Sequence, residues 1–533
     1  MCTGGDCRIM ITRRHGAVQR LGTTQLRSGG LVMLPTTHHR DSLCWRRLFH
    51  STAATKQPAA QQLAQEPGDL RWEETGQTSV YRATIPRPWL LQDVERQEEP
   101  ASSDGAYLIR AHGLVTEEVM ANSRRLLSQL EWDLDPDSVD GQPTFEIEWM
   151  NNGQYTHDGA EEVFKETVES RVVPMIRASC LMPPDSDLVL CQALMRSYRD
   201  GQRLVHPAHF DGHALVTVVF EIDTSEHTQD LPIARGFAGD GFYVQAGAHV
   251  SSRQPVQMRP GDVCAHSFDL QHGVDVSGGH RVSVILWFAD SVESCEKKVQ
   301  PWHRASAEAG NPDAQYNWGK TLVDQKWTQR GQSFMEAAAV QGHFMAQNDL
   351  GAMAYRGQGT ETGKRDLCEA ERWYGQSAAQ GFQKSMVGMS MVRTAQGRPN
   401  EALEWLERAA EQRADPAVPF RLGKYLMEGT LSAKHVDVRR GRAWMSQAAG
   451  MGHSGAQASM ALGVGEGGSG EGTAVWAKRA ADQGNRDGAS LLALQHLKQG
   501  NLVGLVRLGV MWLRRGSLLA RIFNSSKAGS FGR

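Results

Sequence analysis

The 533-residue chain is short of the features that mark several large protein classes. It has 8 cysteines and no CxxC spacing, which leaves a zinc knuckle or a disulfide scaffold without a framework. Cys2, Cys7 and Cys44 lie near the N-terminus, and the odd set Cys180, Cys191, Cys264, Cys295 and Cys368 is expected to stay reduced. Charge of one sign is also lacking: 57 Lys+Arg against 60 Asp+Glu give −3, so no chain-wide basic field for nucleic acid exists. There is no clean run of ~18 apolar residues, and the mean hydropathy is −0.44, so a polytopic membrane protein is not expected. The remaining composition, 40% hydrophobic and 22% charged, is that of ordinary globular proteins. The length predicts more than one domain.

What charge there is lies unevenly. Residues 1–58 carry nine basic residues, eight arginines and Lys56, against Asp6 and Asp41, or +7, leaving −10 for the rest. An Arg-rich, acid-poor leader with Ser and Thr reads as an organellar transit peptide. Its end, Arg46-Arg47-Leu48-Phe49-His50-Ser51-Thr52, resembles a mitochondrial cleavage region. A mitochondrial location is expected, with plastid or cytoplasm as the alternatives. Residues 59–105, rich in Gln, Glu, Pro and Ser, read as a linker.

From 106 to 295 the pattern is that of strands. Residues 214–222 and 281–288 are β-branched and aromatic runs, and Gly236, Gly239, Gly241, Pro255 and Pro260-Gly261 punctuate short strands between them. Residues 116–130 and 160–177 read as helices. Helices followed by many short strands suggest a jelly-roll core with flanking helices.

After residue 310 an Ala-Ala doublet recurs at 338, 378, 409, 448 and 480, at steps of 40, 31, 39 and 32 residues. An aromatic precedes each by four residues: Phe334, Tyr374, Trp405, Trp444 and Trp476. Gly342, Gly381, Gly452 and Gly484 follow, where helix C-termini want them, and Arg413 stands in the third unit instead. Leu350-Gly351, Leu422-Gly423 and Leu462-Gly463 mark the other helix of several units. This pattern resembles Sel1-like repeats over 310–500, a solenoid that implies a protein partner. Residues 501–533 form a basic amphipathic tail with Arg507, Arg514, Arg515 and Arg521, suited to weak membrane-surface contact and not to spanning. The GxGxxG at 463–468 follows a helix, so it marks no dinucleotide site.

Chemistry gathers around His209-Phe210-Asp211. On a strand, residues i and i+2 face one side, so His209 and Asp211 can grip one metal ion. His272 is a third ligand candidate, with His266 as its alternative, and Arg281 opens an apolar strand soon after. Two His and one carboxylate with open positions suit non-haem Fe(II) chemistry. A nearby guanidinium can hold a keto acid's distal carboxylate through two parallel bonds. His206 and His213 flank the triplet, as supports or as surface residues.

These elements, with Arg196-Ser197-Tyr198-Arg199-Asp200-Gly201-Gln202, Gly239-Asp240-Gly241-Phe242-Tyr243, Pro260-Gly261-Asp262 and His272-Gly273-Val274, resemble the 2-oxoglutarate/Fe(II)-dependent dioxygenases, most closely the prolyl 4-hydroxylase-like group. The resemblance implies a double-stranded β-helix core, with His209, Asp211 and His272 as iron ligands and no catalytic residue beyond that centre. It also implies Arg281 as the 2-oxoglutarate anchor and Tyr198 beside the co-substrate. Fe(II) with 2-oxoglutarate and O2 as co-substrates follows, with ascorbate as auxiliary reductant and a protein or small molecule as substrate. The alternative of another class is a scaffold or adaptor acting through its repeats.

Overall fold

The computed structural model describes residues 70–75, 79–86, 105–179, 181, 187–222, 237–358, 363–430, 436–463 and 470–511. The chain divides into two compact units, Met1–Lys56 and Gln57–Arg533, and the described residues belong to the second. The leader at 1–58 and the end of the tail lie outside the described residues.

The strands are β1 (Trp72–Glu74), β2 (Val80–Pro86), β3 (Gly105–Ala111), β4 (Asp133–Pro136), β5 (Pro143–Asn151), β6 (Gln154–Tyr155), β7 (Val189–Arg199), β8 (Val205–His209) and β9 (Val216–Ile222). They continue with β10 (Phe237–Ala238), β11 (Gly241–Gln245), β12 (Arg253–Pro255), β13 (Val263–Ser267), β14 (His272–Asp275) and β15 (Gly278–Ala289). The larger sheet runs β1-β2-β3-β13-β9-β15-β7-β5-β4, with β10 on β15 and β6 on β5; the smaller runs β12-β11-β14-β8. Both are antiparallel, and neither closes into a barrel among the described residues. Thus the coarse form of the expected architecture is present: an antiparallel β-rich region ahead of a helical one. β15 lies inside the larger sheet between β9 and β7, and its Val282, Val284, Leu286 and Phe288 are at most 1% exposed. Phe242 and Val244 of the smaller sheet share that core, so the two sheets face each other. Strands β1 and β2 lie inside the stretch expected to be linker.

The helix α1 (Glu117–Leu127) starts at Thr116, whose hydroxyl caps Val119 N–H, with Glu117 and Glu118 in its first turn and Arg124 and Arg125 in its last. The expected 160–177 helix is α2 (Asp158–Thr167) and α3 (Val173–Ala178), joined by a π-helical turn, Val168–Val172. Pro174 removes one N–H there and forces the wider turn. After the strands come α4 (Val292–Lys297) and α5 (Pro301–Glu308).

The repeat helices then pair as α6 (Pro312–Asp324) with α7 (Thr328–Val340), α8 (Phe344–Arg356) with α9 (Leu367–Ala379), and α10 (Gln383–Ala395) with α11 (Pro399–Glu411). They continue with α12 (Ala417–Glu428) and α13 (Val438–Gly450), α14 (Ser454–Ala461) and α15 (Gly470–Asp482), then α16 (Arg486–Lys498). Burial corrects the repeat register. In the second unit the buried small pair is Ser377-Ala378, while Ala379 is exposed, so the steps become 39, 32, 39 and 32 residues. The preceding aromatic is then Trp373, and the next position holds the fully buried knob: Met335, Tyr374, Leu406, Met445 and Ala477. Trp405, Trp444 and Trp476 are only half-buried.

A ladder of glutamines ties unit to unit. The amides of Gln341, Gln380, Gln412 and Gln483 donate to the carbonyls of Gly310, Gly342, Gly381 and Gly452, at 3.2, 2.9, 2.7 and 3.0 Å. The array also lies against the β region: Gln483 donates to Gly201 O at 3.2 Å and Lys384 to Val139 O at 3.3 Å. A Cβ at Gly381 would stand 2.7 Å from that of His249, and one at Gly484 3.1 Å from Leu134. Arg413, which stands where the other units have glycine, is itself left-handed at φ 54°.

The expectation of reduced cysteines fails: Cys368 is disulfide-bonded. Cys191 of β7 and Cys295 of α4, 104 residues apart in sequence, form a disulfide with Cα atoms 5.4 Å apart. Cys264 keeps a free, buried thiol. No helix among the described residues is long and apolar enough to cross a membrane.

Candidate metal centre

β8 ends at His209, which lies directly opposite His272, the first residue of β14. Antiparallel partners point to the same face, and the two rings are 4.5 Å apart between centroids. Asp211, expected on the strand with His209, lies instead in the turn after it, closed by the bond from Ala214 N to Asp211 O at 3.0 Å. The turn brings the carboxylate between the imidazoles. Oδ1 is 3.4 Å from His209 Nε2, and Oδ2 is 3.4 Å from His272 Nε2. One ligand atom from each of the three residues falls within 4.8 Å of the others. The structure thus brings together the three residues singled out as ligands.

Their orientation is set by partners that the sequence does not reveal. His209 Nδ1 lies 3.0 Å from Pro207 O and His272 Nδ1 3.1 Å from Leu270 O. A carbonyl needs a donor, so each Nδ1 carries the proton and each Nε2 presents its lone pair. Thr217 Oγ1 and Trp287 Nε1 both donate to Asp211 Oδ2, at 2.8 and 3.0 Å. Those two residues are register partners on β9 and β15. Burial alone would raise the Asp211 pKa, but the facing imidazoles His272 and His209 hold it well below the usual carboxylate range. Burial, then the neighbouring His272, pushes His209 below 6.5, so it is neutral at physiological pH.

His266, the alternative ligand, sits behind His272 with ring centroids 4.2 Å apart and stays outside the triad. Burial and the nearby His272 lower its pKa to about 3. His206 is a support: its Nε2 meets Asp137 at 2.9 Å, and its ring packs 4.4 Å from that of His209. Asp137 also pairs with Arg196 at 3.2 Å, so a buried ionic cluster backs the ligand strand. His213 is exposed, with its ring edge-on to Trp287. Asp262, in the Pro-Gly-Asp motif, accepts from Arg259 N and Gly113 N and so ties down the loop after β3.

Arg281 and Tyr198 are register partners on β15 and β7, at 1% and 2% exposure. The guanidinium carbon is 5.7 Å from both the Tyr198 and Phe237 ring centroids. The fork is not free for two parallel bonds, as the sequence reading has it. Nε donates to Glu221 Oε1 at 2.8 Å, and Nη1 donates to Ser283 Oγ. Nη2 is buried without a partner. Such an atom is costly unless a ligand completes it, and a carboxylate fits. Two imidazole nitrogens and a carboxylate likewise fit Fe(II).

Comparison with known proteins identifies the helical half. The Sel1 repeat family model matches residues 344–382, 398–413, 420–453 and 474–485. No curated protein matches the chain. Among solved structures, the Sel1 repeat protein of Oxalobacter formigenes is 26% identical, covering 37% of this chain and 58% of its own, with a TM-score of 0.31. A protective antigen of uropathogenic Escherichia coli displaying an SLR fold is 21% identical over 44% of this chain and 52% of its own, with a TM-score of 0.33. The chain thus covers a little over half the length of those two proteins. An oxidoreductase of the 2OG-Fe(II) oxygenase family from Burkholderia pseudomallei is 14% identical over 34% of this chain and 85% of its own, with a TM-score of 0.28. The helical C-terminal region of this chain contains Sel1 repeats.

Proposed function

We propose that the chain is an Fe(II)- and 2-oxoglutarate-dependent dioxygenase whose two sheets form a jelly roll, and whose Sel1 repeats also receive a protein partner. The observation that carries this is the His209–Asp211–His272 cluster, with both Nε2 lone pairs turned inward and a buried, unpartnered Arg281 nitrogen in the same core. Fe(II), when bound, supplies the redox chemistry that couples decarboxylation of 2-oxoglutarate to oxidation of a substrate. The protein's part is positional. Pro207 and Leu270 carbonyls fix the imidazole tautomers, and Thr217 and Trp287 steady the carboxylate. Arg281 Nη2 takes the distal carboxylate of the keto acid, beside Tyr198. The apolar core around Phe242 and Val244 excludes water. Anaerobic titration with Fe(II), followed by assay of 2-oxoglutarate conversion to succinate, tests the reading. Iron-dependent turnover that His209→Ala abolishes supports it, and a protein that takes no iron and never turns over removes it.

A scaffold acting through its repeats is the second reading, favoured by the Sel1 match itself. Absence of iron binding together with capture of a partner by the array would select it. The leader's charge supports import into mitochondria. A fluorescent protein carrying residues 1–58 would then collect there, and a diffuse cytosolic signal would remove the proposal.

A further inference from the structure

The two residues flanking Asp211 both touch the helical region. Phe210 packs with Ala248, Phe344, Phe382 and Met345, at the corners where the first repeats turn. On the other side, His303 Nε2 of α5 donates to the Gly212 carbonyl at 2.6 Å. His303 is 1% exposed, and its ring stands edge-on to Phe268, 4.7 Å between centroids. Gly212 is also closely covered: a Cβ there would lie 2.6 Å from Asn317 Oδ1 of α6. Its backbone is outside the left-handed region, so what a side chain there would meet is not strain but the Asn317 amide, held in place by its own bond from Nδ2 to Asp313 O at 3.0 Å. The carboxylate of Asp211 is thus held by the larger sheet through Thr217 and Trp287, while its main chain is held by helices that follow the β region.

We propose that the helical region positions Asp211, with His303 and Asn317 as positioning residues, so that the metal centre is complete only with the first repeats seated on the Phe210–Gly212 turn. This rests on the metal reading above and deepens it. A turn gripped on both sides cannot swing its carboxylate away from the two imidazoles, and ligands pre-set in this way bind more tightly than ligands that must be gathered. Support beyond the ligands commonly changes metal affinity by about 10–100-fold.

Co(II) titration of the full chain without oxygen provides the test, reading both affinity and the visible ligand-field absorption. Gly212→Ala pushes the turn off Asn317 and should weaken Co(II) by about ten-fold or more, with an altered absorption band. Adding Asn317→Ala removes the obstruction and should restore most of the lost affinity, while Asn317→Ala alone leaves it near wild type. His303→Leu should weaken Co(II) similarly, and His303→Gln, which can donate the same bond, should recover much of it. Rescue of one side by the other is something that general damage to the array would not produce. If His303→Leu does not fold, the Gly212/Asn317 cycle decides alone. If wild type takes up no Co(II), the metal reading fails and this proposal with it. If wild type binds, but Asn317→Ala gives Gly212→Ala no relief and His303→Leu binds normally, positioning by the array fails while the metal reading stands.

Discussion

Replacing Glu221 by glutamine should weaken the fold and tighten 2-oxoglutarate binding, two effects of opposite sign from one atom-for-group exchange. Glu221 Oε1 accepts from Arg281 Nε at 2.8 Å, with the Arg281 side chain 0% and the Glu221 side chain 15% exposed. Glutamine keeps an acceptor for Nε but removes the counter-charge from a guanidinium that cannot lose its proton. Removing one partner of a buried pair outright costs ~3–5 kcal/mol. The retained neutral bond offsets about 1 kcal/mol of that, leaving a loss of roughly 2–4 kcal/mol. The co-substrate sees the reverse. Its carboxylate becomes the guanidinium's counter-charge and no longer shares it with a like charge, which at an effective dielectric of about 20 is worth roughly 1–2 kcal/mol. Binding should therefore tighten about ten-fold. Urea unfolding without ligand gives the first number. The shift of the thermal midpoint with 2-oxoglutarate concentration, in the presence of Co(II), gives the second. If Glu221→Gln leaves stability unchanged, or weakens 2-oxoglutarate as Arg281→Ala does, Glu221 does not compete with the co-substrate for Arg281 and the anchor role is misassigned.

Thr217→Val removes one donor from Asp211 Oδ2 with little change of shape, and Trp287→Phe removes the other together with part of the indole; each should lower metal affinity about ten-fold or more, read by Co(II) titration. In the array, Leu406→Ala should cost about 2–5 kcal/mol, because Leu406 is 1% exposed. Trp405→Ala should cost clearly less, since that ring is half-buried and covered by Arg408 at 4.3 Å; equal losses in urea unfolding would contradict the corrected register. Burial lowers the His303 pKa from 6.5 to about 4, even with its bond to the Gly212 carbonyl. The neutral form is the folded one, so His303's contribution is complete above pH 6.5 and drains away as pH falls towards 4, by up to about 3 kcal/mol. Unfolding midpoints at pH 7, 5.5 and 4.5 would show that fall, and His303→Gln should make it shallower by His303's share, with His266 and His453, lowered to about 3 and about 4, supplying part of the rest.

The ligands were legible because ligand chemistry is a property of residue type, and His209-Phe210-Asp211 with His272 and Arg281 stand in a recognisable order. Their supports were not. Thr217 and Trp287 meet Asp211 only because β9 and β15 are neighbours in the larger sheet, and nothing local in either segment announces a carboxylate. Glu221 lies 60 residues before Arg281 and becomes its partner through the same strand pairing. The Cys191–Cys295 disulfide was hidden for a similar reason, since it depends on β7 and α4 ending side by side. Periodicity exposed the repeats, but the Ala378-Ala379 doublet misled by one residue. Serine packs as well as alanine at position 377, where its hydroxyl donates to Phe344 O at 2.8 Å.

The contacts between helix corners and β region bear on how this chain could change length over evolution or by engineering. A free-standing solenoid tolerates gain or loss of a unit, since each repeat answers only to its neighbours. Here the corners at Phe344, Gly381, Gly452 and Gly484 meet Phe210, His249, Gln202 and Leu134 respectively. These corners are therefore each addressed to a particular place on the β region. Excising one unit between Phe344 and Gly484 would carry every later corner to the wrong address, so units are expected to be added freely only beyond α16. Designers wishing to graft new binding repeats onto this chain should extend it there.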